Sequence, residues 1–150
     1  MGALADLQSK IGQQLGVSDW VEIPQERITQ FADATEDHQF IHVDVEKAKS
    51  LTPFGGTIAH GFLTLSLLSR FAETGLPTVP GTKMGMNYGL NKVRFLSPVP
   101  CGSKVRGTFT LMSAEEKNPG QLLLNYGVSV EIDGAPKPAM VAEWLMLIFI

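Results

Sequence analysis

The fold is decided by one stretch of the chain, Gly61-Phe62-Leu63-Thr64-Leu65-Ser66-Leu67-Leu68-Ser69-Arg70-Phe71-Ala72. Apolar side chains lie around most of the circumference of the helix that this stretch predicts, which indicates a helix buried on nearly every side. Gly75 and Pro77 follow it, and both residue types are typical of a helix end. Such a helix needs a second layer of structure around it.

The second half of the chain predicts that layer. Four long strands are predicted at residues 83–95, 104–112, 122–132 and 138–149, with turn-forming residues between them. Consecutive strands joined by short turns favour antiparallel pairing. We therefore predict an α+β domain in which a curved antiparallel sheet wraps around a long buried central helix. The last strand is very apolar, so we expect it in the centre of the sheet or in a dimer contact.

The first sixty residues predict shorter elements. Apolar residues at helical spacing predict a helix over residues 3–15 that Gly16 ends. A brief strand at residues 20–23 is followed by a second helix from about Pro24 to near Thr35. Residues 36–41 show no period and are predicted to be a loop, and residues 43–51 can hold one or two helical turns.

Length and composition restrict the classes of function. The 150 residues predict one domain spanning residues 1–150. A net charge of −3 provides no basic stripe for a phosphate backbone, so nucleic acid is not expected as a partner. The longest apolar stretch, residues 139–150, is too short to span a bilayer, and the start lacks a secretory signal. We expect a cytoplasmic protein without a membrane span.

Two features carry candidate chemistry. Asp37 and His42 lie five positions apart after the second helix, and a carboxylate and an imidazole that meet at one water can orient it and accept its proton. As a bare pattern this spacing is common, and a solvated loop is the alternative. Gly61 begins the apolar helix, where a free N–H group can donate to an oxygen that gains negative charge. The alternative is that Gly61 only permits tight packing.

The remaining histidines, glycines and the single cysteine predict no further site. Three histidines and one cysteine are scattered without metal-ligand spacing, so no metal is expected. Gly55 and Gly56 lack a nucleotide-binding pattern. His38 is predicted to face solvent or pin the loop, and His60 to position the helix start rather than to transfer a proton.

Three segments resemble the MaoC-like (R)-specific enoyl-CoA hydratases, with the nodulation protein N-like branch the most similar. The first holds Asp37, His42 five positions later and the small residue Ala48 six positions further. The other two are Pro53-Phe54-Gly55-Gly56-Thr57-Ile58-Ala59-His60-Gly61 and Asn91-Lys92-Val93-Arg94-Phe95-Leu96-Ser97-Pro98-Val99.

This resemblance implies a hot-dog fold and a homodimer. It also implies reversible hydration of trans-2-enoyl-CoA to (R)-3-hydroxyacyl-CoA, with Asp37 and His42 as the catalytic pair and the Gly61 N–H on the thioester carbonyl. Coenzyme A enters only as part of the substrate, and no other cofactor is implied. The acyl carrier, coenzyme A or acyl carrier protein, stays open.

The chain departs from the family pattern between the two catalytic candidates. The family has Gly-Asp-x-Asn-Pro where this chain has Glu36-Asp37-His38-Gln39-Phe40. Gln39 and Phe40 are therefore predicted to contact the substrate and alter its fit. Two alternatives to hydration remain: a hot-dog thioesterase, for which the helix offers only Glu73, and an acyl-thioester-binding module without catalysis.

Overall fold

A computed structural model describes residues 2–150 of the chain. Its helices are α1 (Ala3–Gln8), α2 (Gln25–Thr35), α3 (Phe40–Val43), α4 (Val45–Leu51), α5 (Gly61–Ser66) and α6 (Leu68–Gly75). Its strands are β1 (Gln14–Val17), β2 (Val21–Glu22), β3 (Met84–Phe95), β4 (Lys104–Asn118), β5 (Gln121–Ile132) and β6 (Pro138–Phe149).

The strands form one antiparallel sheet in the order β1-β4-β5-β6-β3, and the short β2 also pairs with β4. Buried and half-buried residues alternate along the whole of β5, so one face of the sheet packs on the core. The sheet packs closely on the central helix, because a Cβ at Gly107 of β4 would lie only 3.2 Å from Cβ of the fully buried Phe71. The predicted α+β architecture is confirmed.

The central helix differs in two respects from the prediction. It consists of two segments, α5 and α6, which meet at Leu67. The Ser66 hydroxyl donates to the Phe62 carbonyl at 2.6 Å, and this kind of back-bonding bends helices. The helix also buries one face rather than nearly every side, since Phe62 is 68% exposed while Leu63 and Phe71 are buried.

The predicted first helix is wrong beyond Gln8. The chain turns at Gly12, whose φ of +87° is favourable only for glycine, and residues 14–17 then form β1. Pairing of β1 with β4 satisfies the backbone groups of this segment, which outweighs the helical period of its apolar residues. The predicted second helix and the brief strand are confirmed as α2 and β2.

The four long strands are confirmed, with β4 extending to Asn118. The apolar β6 lies between β5 and β3, which confirms its expected central place. The long free edge is β3, whose twelve residues are almost all exposed, whereas the short β1 and β2 form the opposite edge. No helix within residues 2–150 combines the length and the apolar character needed to cross a membrane.

Candidate active site

The candidate site begins where α2 ends. Glu36 stops the helix in the left-handed conformation, with φ of 62°, and is the one non-glycine residue among residues 2–150 with a positive φ. The loop is shorter than predicted: it ends at Gln39, and Phe40 and Ile41 already belong to α3. This short turn of helix carries His42 into the interior.

His42 is held by two neighbouring segments. Its Nδ1 lies 2.7 Å from the Ile58 carbonyl oxygen, so Nδ1 carries the proton and Nε2 keeps a free lone pair. The Ile58 N–H in turn donates to the Ile41 carbonyl at 3.0 Å. On the other side, Gln25 of α2 donates from Nε2 to the His42 carbonyl at 2.8 Å. The sequence analysis missed Gln25, because its contact joins segments that are distant along the chain.

Burial determines the charge state of His42. The side chain lies in the interior, and desolvation lowers its pKa below the ordinary value of 6.5. The hydrogen bond to Ile58 and the nearby Asp37 act in the opposite direction, and His60 adds to the lowering. His42 is therefore a neutral imidazole at pH 7, able to accept a proton.

Asp37 lies on the exposed rim of the site. One of its carboxylate oxygens accepts the Gln39 N–H at 3.3 Å, which is a weak contact. One ligand atom each from Asp37, His42 and His60 lies within 4.8 Å of the others. The structure therefore brings together the two residues that the sequence singled out.

His60 joins this pair from the helix start. Its Nε2 lies 3.0 Å from the Asp37 main-chain carbonyl oxygen, and its ring stacks on the His42 ring with centroids 3.7 Å apart and an angle of 21°. The only signal for this residue in the sequence was its place directly before Gly61.

A cavity of about 330 Å³ opens beside His42. Apolar side chains make up most of its wall, and the helix start supplies Gly61 and Thr64; the other lining residues are Ile41, His42, Ile58, Ala59, Phe95, Leu96, Ser97, Pro98, Val99 and Ala139. The Gly61 N–H has no hydrogen-bond partner within residues 2–150. A Cβ at Gly61 would lie 3.1 Å from the Phe95 ring, so tight packing also accounts for a glycine here.

The other predicted loop residues lie apart from this cavity. Gln39 is exposed, Phe40 is half-buried with the Lys47 ammonium 5.6 Å from its ring centre, and neither lines the cavity wall. Their role as substrate contacts stays a prediction. His38 is exposed, which agrees with its expected solvent-facing position; its Nε2 lies 2.9 Å from an Asp33 carboxylate oxygen, and such an exposed contact contributes little to stability.

Asp37, His42 and His60 also form a set of possible metal ligands. The two imidazole rings are stacked nearly parallel, and the lone pair of a ring nitrogen lies in the ring plane. A single ion bound by both rings would sit well out of at least one plane. The stacking therefore disfavours a shared ion, and the expectation of no metal stays a prediction.

The chain is similar in sequence to a known protein family and to proteins from two bacterial genera. The sequence model of the MaoC like domain matches residues 6–130. Nodulation protein N of Rhizobium leguminosarum bv. viciae is 52% identical over 146 residues, covering 97% of this chain and 91% of that protein. The 3-hydroxyacyl-thioester dehydratase Z of Mycobacterium tuberculosis (strain ATCC 25618 / H37Rv) is 52% identical over 141 residues, covering 94% and 92%.

The fold is also similar to that of a solved structure. The R-hydratase PhaJ1 from Pseudomonas aeruginosa superimposes with a TM-score of 0.73 and 26% identity, covering 91% of this chain and 79% of that one. The fold is thus the hot-dog fold of these proteins. The chain belongs to the MaoC-like domain family.

Proposed function

We propose that the chain catalyses the reversible hydration of trans-2-enoyl thioesters to (R)-3-hydroxyacyl thioesters. The observation that carries the proposal is the pairing of Asp37 with a neutral His42 whose Nε2 is free, next to a mostly apolar cavity. A water between the two groups has a carboxylate to orient it and an imidazole to accept its proton.

The reaction adds the elements of water across the C2–C3 double bond. One member of the pair takes a proton from water as the water oxygen bonds to C3. The acid form generated in this step then delivers the proton to C2. Either residue can hold the proton taken from water, so the roles of base and acid are assigned to the pair rather than to single residues.

The Gly61 N–H supplies the third group. In the proposed complex the thioester carbonyl accepts a hydrogen bond from it, and negative charge grows on that oxygen as the bond to C3 forms. A donor placed in this way is worth roughly 3–4 kcal/mol of barrier. Because this N–H has no partner within residues 2–150, it is available to the substrate without breaking a protein contact.

The names of two relatives support the same chemistry. The 52% identical mycobacterial protein is a 3-hydroxyacyl-thioester dehydratase, and the Pseudomonas aeruginosa structure is an R-hydratase. Dehydration and hydration are the two directions of one equilibrium. Acyl groups are bound to coenzyme A and to acyl carrier protein through the same thioester group, which the site would bind. Both kinds of substrate should therefore be assayed.

We also propose that the active form is a homodimer joined along β3. Met84, Met86 and Tyr88 on this free edge are each about half exposed. A long unpaired edge strand with apolar side chains is an aggregation hazard unless another strand covers it. The same apolar surface continues to Phe62 and Phe95, whose rings contact edge to face beside the cavity, so a second copy would also enclose the site.

One assay separates hydration from its alternatives. The purified protein is mixed with crotonyl-CoA, and enoyl absorbance and free thiol are followed together. Loss of absorbance without thiol supports the proposal, whereas release of thiol identifies a thioesterase. Binding without either change identifies an acyl-binding module. Glu73 does not favour the thioesterase, because its side chain is 73% exposed and it lines a different cavity from His42.

A further inference from the structure

His60, at the start of the central helix, contacts both proposed catalytic residues, Asp37 and His42. It precedes Gly61 in the chain, its Nε2–H donates to the Asp37 carbonyl, and its ring lies against His42. Phe31 of α2 packs on the ring as well, with centroids 4.9 Å apart. His60 therefore touches the carboxylate loop and the imidazole, and is bonded to the residue that supplies the N–H.

The protonation of His60 follows from its surroundings. Because Nε2 donates to a carbonyl oxygen, Nε2 carries the proton in the neutral ring. Nδ1 is buried without a hydrogen-bond partner within residues 2–150, and the side chain is only 3% exposed. The ring of His60 therefore makes a single hydrogen bond within the described residues, from Nε2–H to the Asp37 carbonyl.

We propose that His60 is a positioning residue of the active site, holding Asp37 through its main-chain carbonyl while its ring fixes the face of His42. This inference rests on the proposed function and goes beyond it by assigning the geometry of the pair to a third histidine. Asp37 needs such support, because its loop is exposed and its carboxylate makes only a 3.3 Å contact, to the Gln39 N–H.

A role in proton transfer does not fit these contacts. Nε2 is occupied by the Asp37 carbonyl, and the side chain is missing from the cavity wall that includes His42. A role as helix cap does not fit either, because the His60 side chain makes no cap hydrogen bond with α5. The remaining contacts act on Asp37 and His42.

Two substitutions separate the hydrogen bond from the stacking. His60→Phe keeps an aromatic ring against His42 but removes the donor to Asp37. We expect kcat for crotonyl-CoA to fall by about 10²-fold, the cost of a misplaced catalytic group, while KM stays within about twofold. His60→Gln places an amide N–H near the position of Nε2 and should recover most of the lost kcat.

Coupling to Asp37 supplies a readout that a purely structural role would not move. In an Asp37→Asn background, His60→Phe should change the residual rate by no more than about twofold, because the group it positions is already disabled. Independent losses that multiply in the double variant would overturn the inference. So would a folded His60→Phe variant with wild-type kcat. His38→Gln is the matched control, since His38 is exposed and bound to Asp33, and it should keep normal kinetics.

A measurement without turnover tests the same geometry. The chain has three histidines, so the ring nitrogens of the ¹⁵N-labelled wild type can be assigned by NMR. We expect the Nε2–H form for His60 and the Nδ1–H form for His42 at neutral pH. A neutral His60 with its proton on Nδ1 instead of Nε2 overturns the inference, whether or not the variants fold.

These results also distinguish the inference from the proposed function. If the wild type hydrates neither crotonyl-CoA nor crotonyl-acyl carrier protein, the proposed function fails. The contacts inferred for His60 are then tested by the NMR measurement of the histidine tautomers alone. If the wild type is active and His60→Phe is equally active, the inference fails and the proposed function stands.

Discussion

At the scale of single residues, the site depends on which nitrogen of each histidine carries a proton. The Ile58 carbonyl keeps the proton of His42 on Nδ1, and the Asp37 carbonyl keeps that of His60 on Nε2. Both acceptors are main-chain atoms, so the backbone of two loops determines the chemistry of the side chains. Substitutions at the side chains themselves test this arrangement.

Replacement of either catalytic candidate should remove most of the activity. Asp37→Ala and His42→Ala are each expected to lower kcat by about 10²–10⁴-fold, because each removes a proton-transfer or water-orienting group. The loss of enoyl absorbance from crotonyl-CoA measures this effect. His38→Ala, from the same loop, should stay within about twofold of the wild type. Near-normal hydration by both Asp37→Ala and His42→Ala would refute the catalytic pair.

The lowered pKa of His42 predicts a pH dependence of folding. Below its ordinary pKa of 6.5, His42 in the unfolded chain binds a proton that the folded chain resists. The free energy of unfolding should therefore decrease as the pH falls through this value. Urea unfolding between about pH 5 and pH 8 measures the slope. His42→Gln should flatten it and the exposed-site control His38→Gln should not; an unchanged slope in His42→Gln would contradict the prediction.

Glu36 predicts a stabilising substitution. Its φ of 62° costs a residue with a Cβ about 1–2 kcal/mol, and the greater unfolded-state entropy of glycine offsets part of the gain. Glu36→Gly should therefore stabilise the fold by about 0.5–1 kcal/mol in thermal or urea unfolding. Gln30→Gly, at an exposed position inside α2, should destabilise by a similar amount. Destabilisation by both would show that the left-handed position carries no strain.

At the scale of elements, the central helix and the sheet approach each other through small residues. The end of α6 meets β1 where Gly75 faces Gly16, and a Cβ at Gly16 would lie 2.1 Å from the Gly75 carbonyl oxygen. The obstacle is backbone, which cannot rotate away as a side chain can. Gly16, which was predicted to end a helix over residues 3–15, therefore lies inside β1 at its closest contact with α6.

Gly16→Ala should consequently be costly. The added methyl group forces β1 away from α6, and overpacking of this kind destabilises by about 1–3 kcal/mol. Chemical unfolding of the purified variant measures the loss. Gly56→Ala is the control, since no atom lies within 4 Å of a Cβ at that position, and it should change stability by less than about 0.5 kcal/mol. Equal stability of the two variants would contradict the close contact.

At the scale of the whole molecule, one chain leaves a long apolar edge uncovered. The central helix buries a single face and β3 is exposed along nearly all its length, so the apolar surface that the sequence assigns to the interior is only partly enclosed. A second copy placed on β3 would complete the burial. The prediction that the central helix is buried on nearly every side fails for one chain for the same reason.

The dimer prediction is tested by a charge on the edge. Met86→Lys places an ammonium group on a side chain that is 51% exposed on β3, and the buried charge should convert the dimer to a monomer in sedimentation velocity at micromolar concentration. Met112→Lys, on a β4 side chain that is 48% exposed and away from the free edge, should remain dimeric. A monomeric wild type, or a dimeric Met86→Lys variant, would exclude β3 as the interface.

Local sequence signals were enough to predict the order and type of most elements. Turn residues and apolar runs are local signals, so the four long strands, α2 and the start of the central helix at Gly61 were predictable. The spacing of Asp37 and His42, together with the family resemblance, singled out the pair that the structure brings together.

The remaining features depend on contacts between segments that are distant along the chain. The helix predicted over residues 3–15 ends at Gln8, and the chain beyond it leads into β1, whose strand partner β4 lies far away in the sequence. The same holds for the site: the Ile58 carbonyl, the Gln25 amide and the His60 ring reach Asp37 and His42 only after the chain folds back on itself. Local sequence can indicate which side chains are reactive. Their protonation and orientation depend on contacts between segments that are distant along the chain.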